Sequence, residues 1–110
     1  MEWADSGEAG WARQVSRIEA MEAALDEVKA ANNALDAALR RFSQAQDRAA
    51  DLNRYLGSDE WIAAREADAA GQLPADLKRG VLSEDAAYDA LADNRASAIA
   101  MMEIAIDVLR

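Results

Sequence analysis

WARQVSRIEAMEAALDEVKAANNALDAALRRFSQAQDRAADLNRYL, residues 11–56, decides the fold. Apolar side chains recur in it with a heptad spacing: Trp11, Ile18, Leu25 and Leu39 at one position, Met21, Val28, Leu35 and Phe42 at the other. This is the period of a helix that buries one stripe, and it resembles the seam of a coiled coil. A third row, Arg17, Ala24, Ala31, Ala38, Ala45 and Leu52, edges the stripe with small residues. Only Asn32 interrupts the seam. A polar residue at such a position fixes register or strand number in coiled coils, whereas Asn32 and Asn33 together could also mark a turn between two helices. The continuous helix is preferred, because Gly and Pro are missing and the pattern resumes in phase at Leu35 and Leu39.

Past Phe42 the heptad positions fall on Gln46 and Asn53, while the apolar line continues through Ala45, Ala49, Leu52 and Leu56. That sideways drift is what 3.6 residues per turn does to a 3.5-residue pattern. The buried face rotates and the helix goes on, for roughly 60 to 70 Å at about 1.5 Å per residue. Gly57 stands where a left-handed residue ends a helix. Residues 1–10, with Gly7 and Gly10, read as a flexible lead-in to a single helical domain over 11–110.

Ser58 then reads as the N-cap of a short helix, with Asp59 and Glu60 in its first turn and Trp61 and Ile62 facing inward; the helix is expected to fade by Gly71. In the elbow GQLPADLKRGVLSED, Pro74 suits a first helical position, Gly80 a stop, and Ser83 the N-cap of a last helix over 83–110. That helix carries Tyr88, Leu91, Ala98, Met102, Ala105 and Leu109 on one line and Met101, Ile104 and Val108 beside it, an arc wider than one partner helix can cover. The expected fold is all-α: a long amphipathic helix over about 11–56, folded back by a short helix and a Pro/Gly elbow onto a C-terminal helix, as an antiparallel hairpin or bundle. Absence of Thr and scarcity of β-branched residues leave nothing for strands.

Charge and residue usage remove whole classes of function. With 21 carboxylates against 12 cations the net charge is -9, which opposes direct contact with nucleic acid or an anionic membrane and makes any charged partner a basic one. There is no Cys and no His, so disulfides, thiol nucleophiles, zinc sites and Ser-His arrangements are excluded. No apolar run approaches the ~20 residues of a membrane span, and the N-terminus lacks a secretion signal; the expected location is cytoplasmic. Neither a cofactor nor a metal is expected, and the chain is not expected to be an enzyme.

Carboxylates are the remaining reactive groups. Glu19 and Glu22 form the E-x-x-E pair that some helical nucleotide hydrolases use for Mg²⁺, but they flank the seam and no second inward pair accompanies them. Asp85, Asp89 and Asp93 recur every fourth residue along the last helix, where like charges oppose one another, so helix stability does not explain the row. A basic partner would. Arg40, Arg41, Arg48 and Arg54, with Lys78 and Arg79, gather the positive charge and are expected to pair with Asp36, Asp47, Asp51 and the acidic last helix.

The run from Arg17 through Met21, YLGSDEW at 55–61, and G-x-LP-x-DLKRGVLSEDAxYDxL from Gly71 to Leu91, followed by Asn94, resembles a family of small bacterial proteins known as domain of unknown function 4298. The likeness covers roughly residues 15–110 and implies an all-helical fold, with no activity, ligand or catalytic residue to carry over. It directs attention to the elbow. Leu77 plugging the core, Asp76 capping, and Lys78 and Arg79 bridging to carboxylates would explain these four residues structurally; otherwise Asp76, Lys78 and Arg79, with Asp85, Asp89 and Asp93, are the partner-contact residues.

The function expected from this inventory is that of a non-enzymatic helical protein-protein interaction or regulatory protein, self-associating as a dimer through its surplus apolar arc. The alternative is an acidic inhibitor, of the phage-encoded kind, that mimics nucleic acid and occupies the groove of a basic nucleic-acid-binding protein.

Overall fold

The computed structural model describes the backbone of residues 2–110 and the side chains from Gly7 onward. Its elements are α1 (Glu2–Tyr55), α2 (Asp59–Ala69), a 3-10 turn (Gly80–Leu82) and α3 (Glu84–Leu109), with no strand among the described residues. The all-helical architecture expected from the sequence is therefore the observed one. Two compact units divide the chain, Met1–Gln44 and Ala45–Arg110.

α1 runs through Asn32 and Asn33 without a break, as the in-phase heptads demand. It begins earlier than expected, at Glu2 in place of about Trp11. Gly7 and Gly10 each cost a helix roughly 1 kcal/mol relative to Ala. Propagation from an established helix needs only one residue fixed per hydrogen bond, however, and the neighbouring Ala and Glu residues favour it. In the first unit α1 carries its seam on the surface: Trp11, Ile18, Met21, Leu25, Val28, Leu35 and Leu39 are between 41% and 68% exposed.

The second unit holds the packed part. α1 ends at Tyr55, and Gly57 takes the left-handed conformation, φ 75°, that its position calls for. Ser58 then caps α2, its hydroxyl oxygen accepting the Trp61 amide hydrogen at 3.2 Å while its own hydroxyl donates to the Tyr55 carbonyl at 2.6 Å. One side chain thus closes one helix and opens the next. α2 ends in a Schellman motif: Gly71, φ 70°, donates to the Asp68 carbonyl and Gln72 to that of Ala67. Ser83 caps α3 through a longer contact, 3.5 Å, to the Ala86 amide.

Trp61 and Ala87 are the buried hydrophobic residues among the described ones. The Trp61 indole N–H donates to the Val81 carbonyl at 3.1 Å, joining α2 to the 3-10 turn, and the Arg65 guanidinium covers the ring face 4.7 Å from its centroid. Leu52 lines one small cavity with Val81 and Ala87, and Gln46 exchanges two hydrogen bonds with Asn94, at 3.0 and 2.9 Å. A step forward on α1 from Gln46 to Leu52 thus matches a step back on α3 from Asn94 to Ala87, which makes this part of the chain an antiparallel hairpin.

Three side chains depart from expectation. Ile62 is 45% exposed, since α2 turns only one residue of the Trp61–Ile62 pair inward. Leu77 is 46% exposed and does not plug the core; its place in the chain is a turn, where its amide donates to the Pro74 carbonyl. Pro74 starts no helix; it heads a turn in which the Leu77 amide donates to its carbonyl at 3.2 Å.

Trp61→Ala removes the largest buried side chain and strands the Val81 carbonyl, so urea unfolding followed by far-UV circular dichroism should show a loss of about 3 kcal/mol. Trp61→Phe keeps most of the packing and loses the indole donor, and should cost only about 1 kcal/mol.

Candidate interaction surfaces

Two apolar surfaces and one polar elbow are the features with chemistry to offer. On α1 the exposed seam of the first unit alternates large side chains every three or four residues, the arrangement that receives knobs from another helix. On α3 the second half carries Ile99, Met102, Ile104, Ile106, Val108 and Leu109, from 46% to 84% exposed, with Met101 half-buried beside them. Met and branched aliphatic residues together make an adaptable face. Exposed large apolar side chains in contiguous rows mark places where another surface belongs.

Arg79 organises the elbow. It is the half-buried member of the Asp76–Arg79 run, and its guanidinium pairs with Asp68 at the end of α2 and donates to the Pro74 carbonyl, while its Nε–H donates to the Leu77 carbonyl at 3.3 Å. The planar fork of an arginine suits this triple duty, which a lysine could not perform. Asp76 and Lys78 are exposed, and no ion pair of theirs is found among the described residues. Arg79 is thereby drawn into the internal structure, while Asp76 and Lys78 face water.

Asp85, Asp89 and Asp93 are exposed along one row of α3, without an ion pair among the described residues. The expected pairing of the basic stretch with this row does not occur. Arg40 reaches Asp36 at 3.0 Å, and Arg48 and Arg54 both turn to Asp51, neighbours three or four residues away that a helix places on the same side.

An open cleft of about 500 Å³ lies in the second unit, walled by Leu56, Trp61, Tyr88 and Leu91, with Glu84 and Arg95 among its polar groups. It collects residues from both YLGSDEW and SEDAxYDxL. No nucleophile with a partnering base lines it, and among the described residues no three acidic, His or Cys side chains come together as a metal-binding group. No helix is long and apolar enough to cross a membrane among the described residues. The Gln46–Asn94 amide pair and Arg95 were not singled out as a site by sequence reasoning; their only signal was Asn94 standing at the end of the resemblance.

Arg79→Ala should loosen the elbow without unfolding the helices. Hydrogen exchange read by mass spectrometry should quicken at the Leu77 amide and its neighbours at least several-fold while protection in α1 is kept, and Arg79→Lys should not restore it.

The family described as Domain of unknown function (DUF4298) has a model that matches residues 18–104, and the chain belongs to that family. No curated protein and no solved structure matches it.

Proposed function

We propose that this member of the DUF4298 family is a non-enzymatic helical interaction protein that acts by self-association and by docking other helices on its apolar faces. The observation that carries the reading is the exposure of two rows of large apolar side chains, on α1 from Trp11 to Leu39 and on α3 from Ile99 to Leu109. Left in water, each such side chain forgoes on the order of 1 kcal/mol or more of transfer free energy that a partner surface would recover. The lack of His and Cys supports a binding role over a catalytic one. A cytoplasmic setting, in which a Cys-free acidic chain is at home, fits the same reading. Sedimentation equilibrium should show a dimer at micromolar concentration, and a strict monomer at high micromolar concentration would refute self-association.

The row Asp85, Asp89 and Asp93 favours a second reading, an acidic mimic of nucleic acid that blocks a basic nucleic-acid-binding protein. Its carboxylates repeat about every 6 Å along α3, exposed and without ion pairs among the described residues. A complex of that kind should weaken at least tenfold between 50 and 200 mM salt, and further in D85N/D89N/D93N; salt-insensitive binding would remove the mimic from consideration.

A further inference from the structure

We propose that residues 11–42 of α1 pair with the same segment of a second copy of this chain as a parallel, in-register, two-stranded coiled coil, with Asn32 setting the register. The inference rests on the self-association reading above and names the surface and its geometry.

Charge singles out a second copy as the occupant. The chain as a whole carries -9, which would set two copies against each other. Segment 11–42 does not share that imbalance: Arg13, Arg17, Lys29, Arg40 and Arg41 match Glu19, Glu22, Asp26, Glu27 and Asp36, five against five. The stretch with the exposed apolar seam is the stretch that is electrically neutral. Seven large side chains, each 41% to 68% exposed, meeting their seven equivalents would cover on the order of 1,000 Å² of apolar surface, close to the size of a stable protein interface. The seam, moreover, lies wholly within one compact unit.

Orientation follows from the heptad positions. With Trp11, Ile18, Leu25, Asn32 and Leu39 at a, and Met21, Val28 and Leu35 at d, Arg17 falls at g and Glu22 at e. A parallel dimer sets Arg17 against the partner's Glu22 twice, by symmetry. An antiparallel dimer aligned over the same segment would set Glu22 against the partner's Lys29, so the flanking charges favour both arrangements. Asn32 decides between them. In the parallel dimer each a residue faces its own copy, and the two Asn32 amides can hydrogen-bond to each other. In the antiparallel dimer a faces d: Asn32 faces the partner's Met21, and two amides are left buried without partners. Parallel pairing also explains why a polar residue stands in an apolar row on a continuous helix that needs no turn there.

Because the chain has no Cys, single introduced cysteines report the pairing directly. Ile18→Cys and Leu35→Cys proteins are mixed in equal amounts in a glutathione redox buffer, after sedimentation has established their association state, and the disulfides are mapped by tryptic peptides. Ala30→Cys, on the opposite face of the helix, is the control for random collision. The parallel dimer should join two copies of the Ile18→Cys protein to each other, and two copies of the Leu35→Cys protein to each other, in large excess over the mixed link between the two variants. Linkage through Ala30→Cys should be slight. An antiparallel dimer holds the two position-18 sulfurs about 25 Å apart and should give the mixed link almost alone. Adding Asn32→Val to both proteins should let the mixed link rise several-fold. A predominant mixed link, or a dimer with neither kind of link, overturns the proposal and leaves self-association standing. A monomer overturns both.

Discussion

The packed half of this protein depends on the indole of Trp61. Its backbone N–H is taken by the Ser58 hydroxyl, its ring N–H by the Val81 carbonyl, and its face by the Arg65 guanidinium. A tryptophan can be buried at low cost only when its N–H finds an acceptor, and here the acceptor comes from a 3-10 turn twenty residues later in the chain. The arrangement fixes what surrounds it. Gly57 and Ser58 end α1 and start α2 so that Trp61 falls in the first turn of α2, and Gly80–Leu82 must coil so that the Val81 carbonyl meets the indole. Ala87, also buried, lines a cavity with that same Val81.

Between α2 and the 3-10 turn the backbone has few hydrogen bonds of its own, so a side chain supplies the order. Arg79 draws the Asp68 carboxylate and two elbow carbonyls onto one guanidinium. A cluster of several acceptors on one planar cation is far more restrictive than a single surface ion pair, and it holds a loop whose internal backbone turn is the Pro74–Leu77 bond. Arg40, Arg48 and Arg54 follow a simpler rule and pair with near neighbours on their own helix. That leaves Asp85, Asp89 and Asp93 of α3 without an ion pair among the described residues, and the excess negative charge of the chain lies outside residues 11–42.

What could be read in the sequence was whatever is local. The continuity of α1 through Asn32, the ends at Gly57 and Gly71, and the caps at Ser58 and Ser83 each depend on a few adjacent residues, and each stands where the pattern puts it. The misreadings have a common cause in tertiary competition. Ile62 and Leu77 are as apolar as Trp61, and nothing local says that only the indole is buried. Pro74 is compatible with a helix start or a turn, and in the fold it heads a turn, its carbonyl accepting from both the Leu77 amide and the Arg79 guanidinium. The Gln46–Asn94 pair spans 48 residues and becomes visible only when the hairpin register is known. Among the candidate contact residues, Arg79 is engaged in the elbow, whereas Asp76, Lys78, Asp85, Asp89 and Asp93 face water, a division that spacing alone does not reveal.

The first half of α1 poses the opposite problem, a helix with more apolar surface than its own stability requires. An Ala-rich segment of this length, with Lys, Arg and Glu between and an Asp36–Arg40 pair on its flank, is helical by propensity. Ala in place of Ile18, Leu25, Val28, Leu35 and Leu39 would make a better isolated helix and a more soluble one. The β-branched Ile18 and Val28 lose side-chain freedom in a helix, and all five side chains expose hydrocarbon, both unfavourable in a lone helix. They are favourable only when a second surface meets them, and heptad spacing specifies the form of that surface as another helix. A neutral segment with one polar residue in its seam adds a further condition, since a partner must match an amide at that layer. The copy of the same chain, aligned with itself, meets each of these conditions without any additional residue.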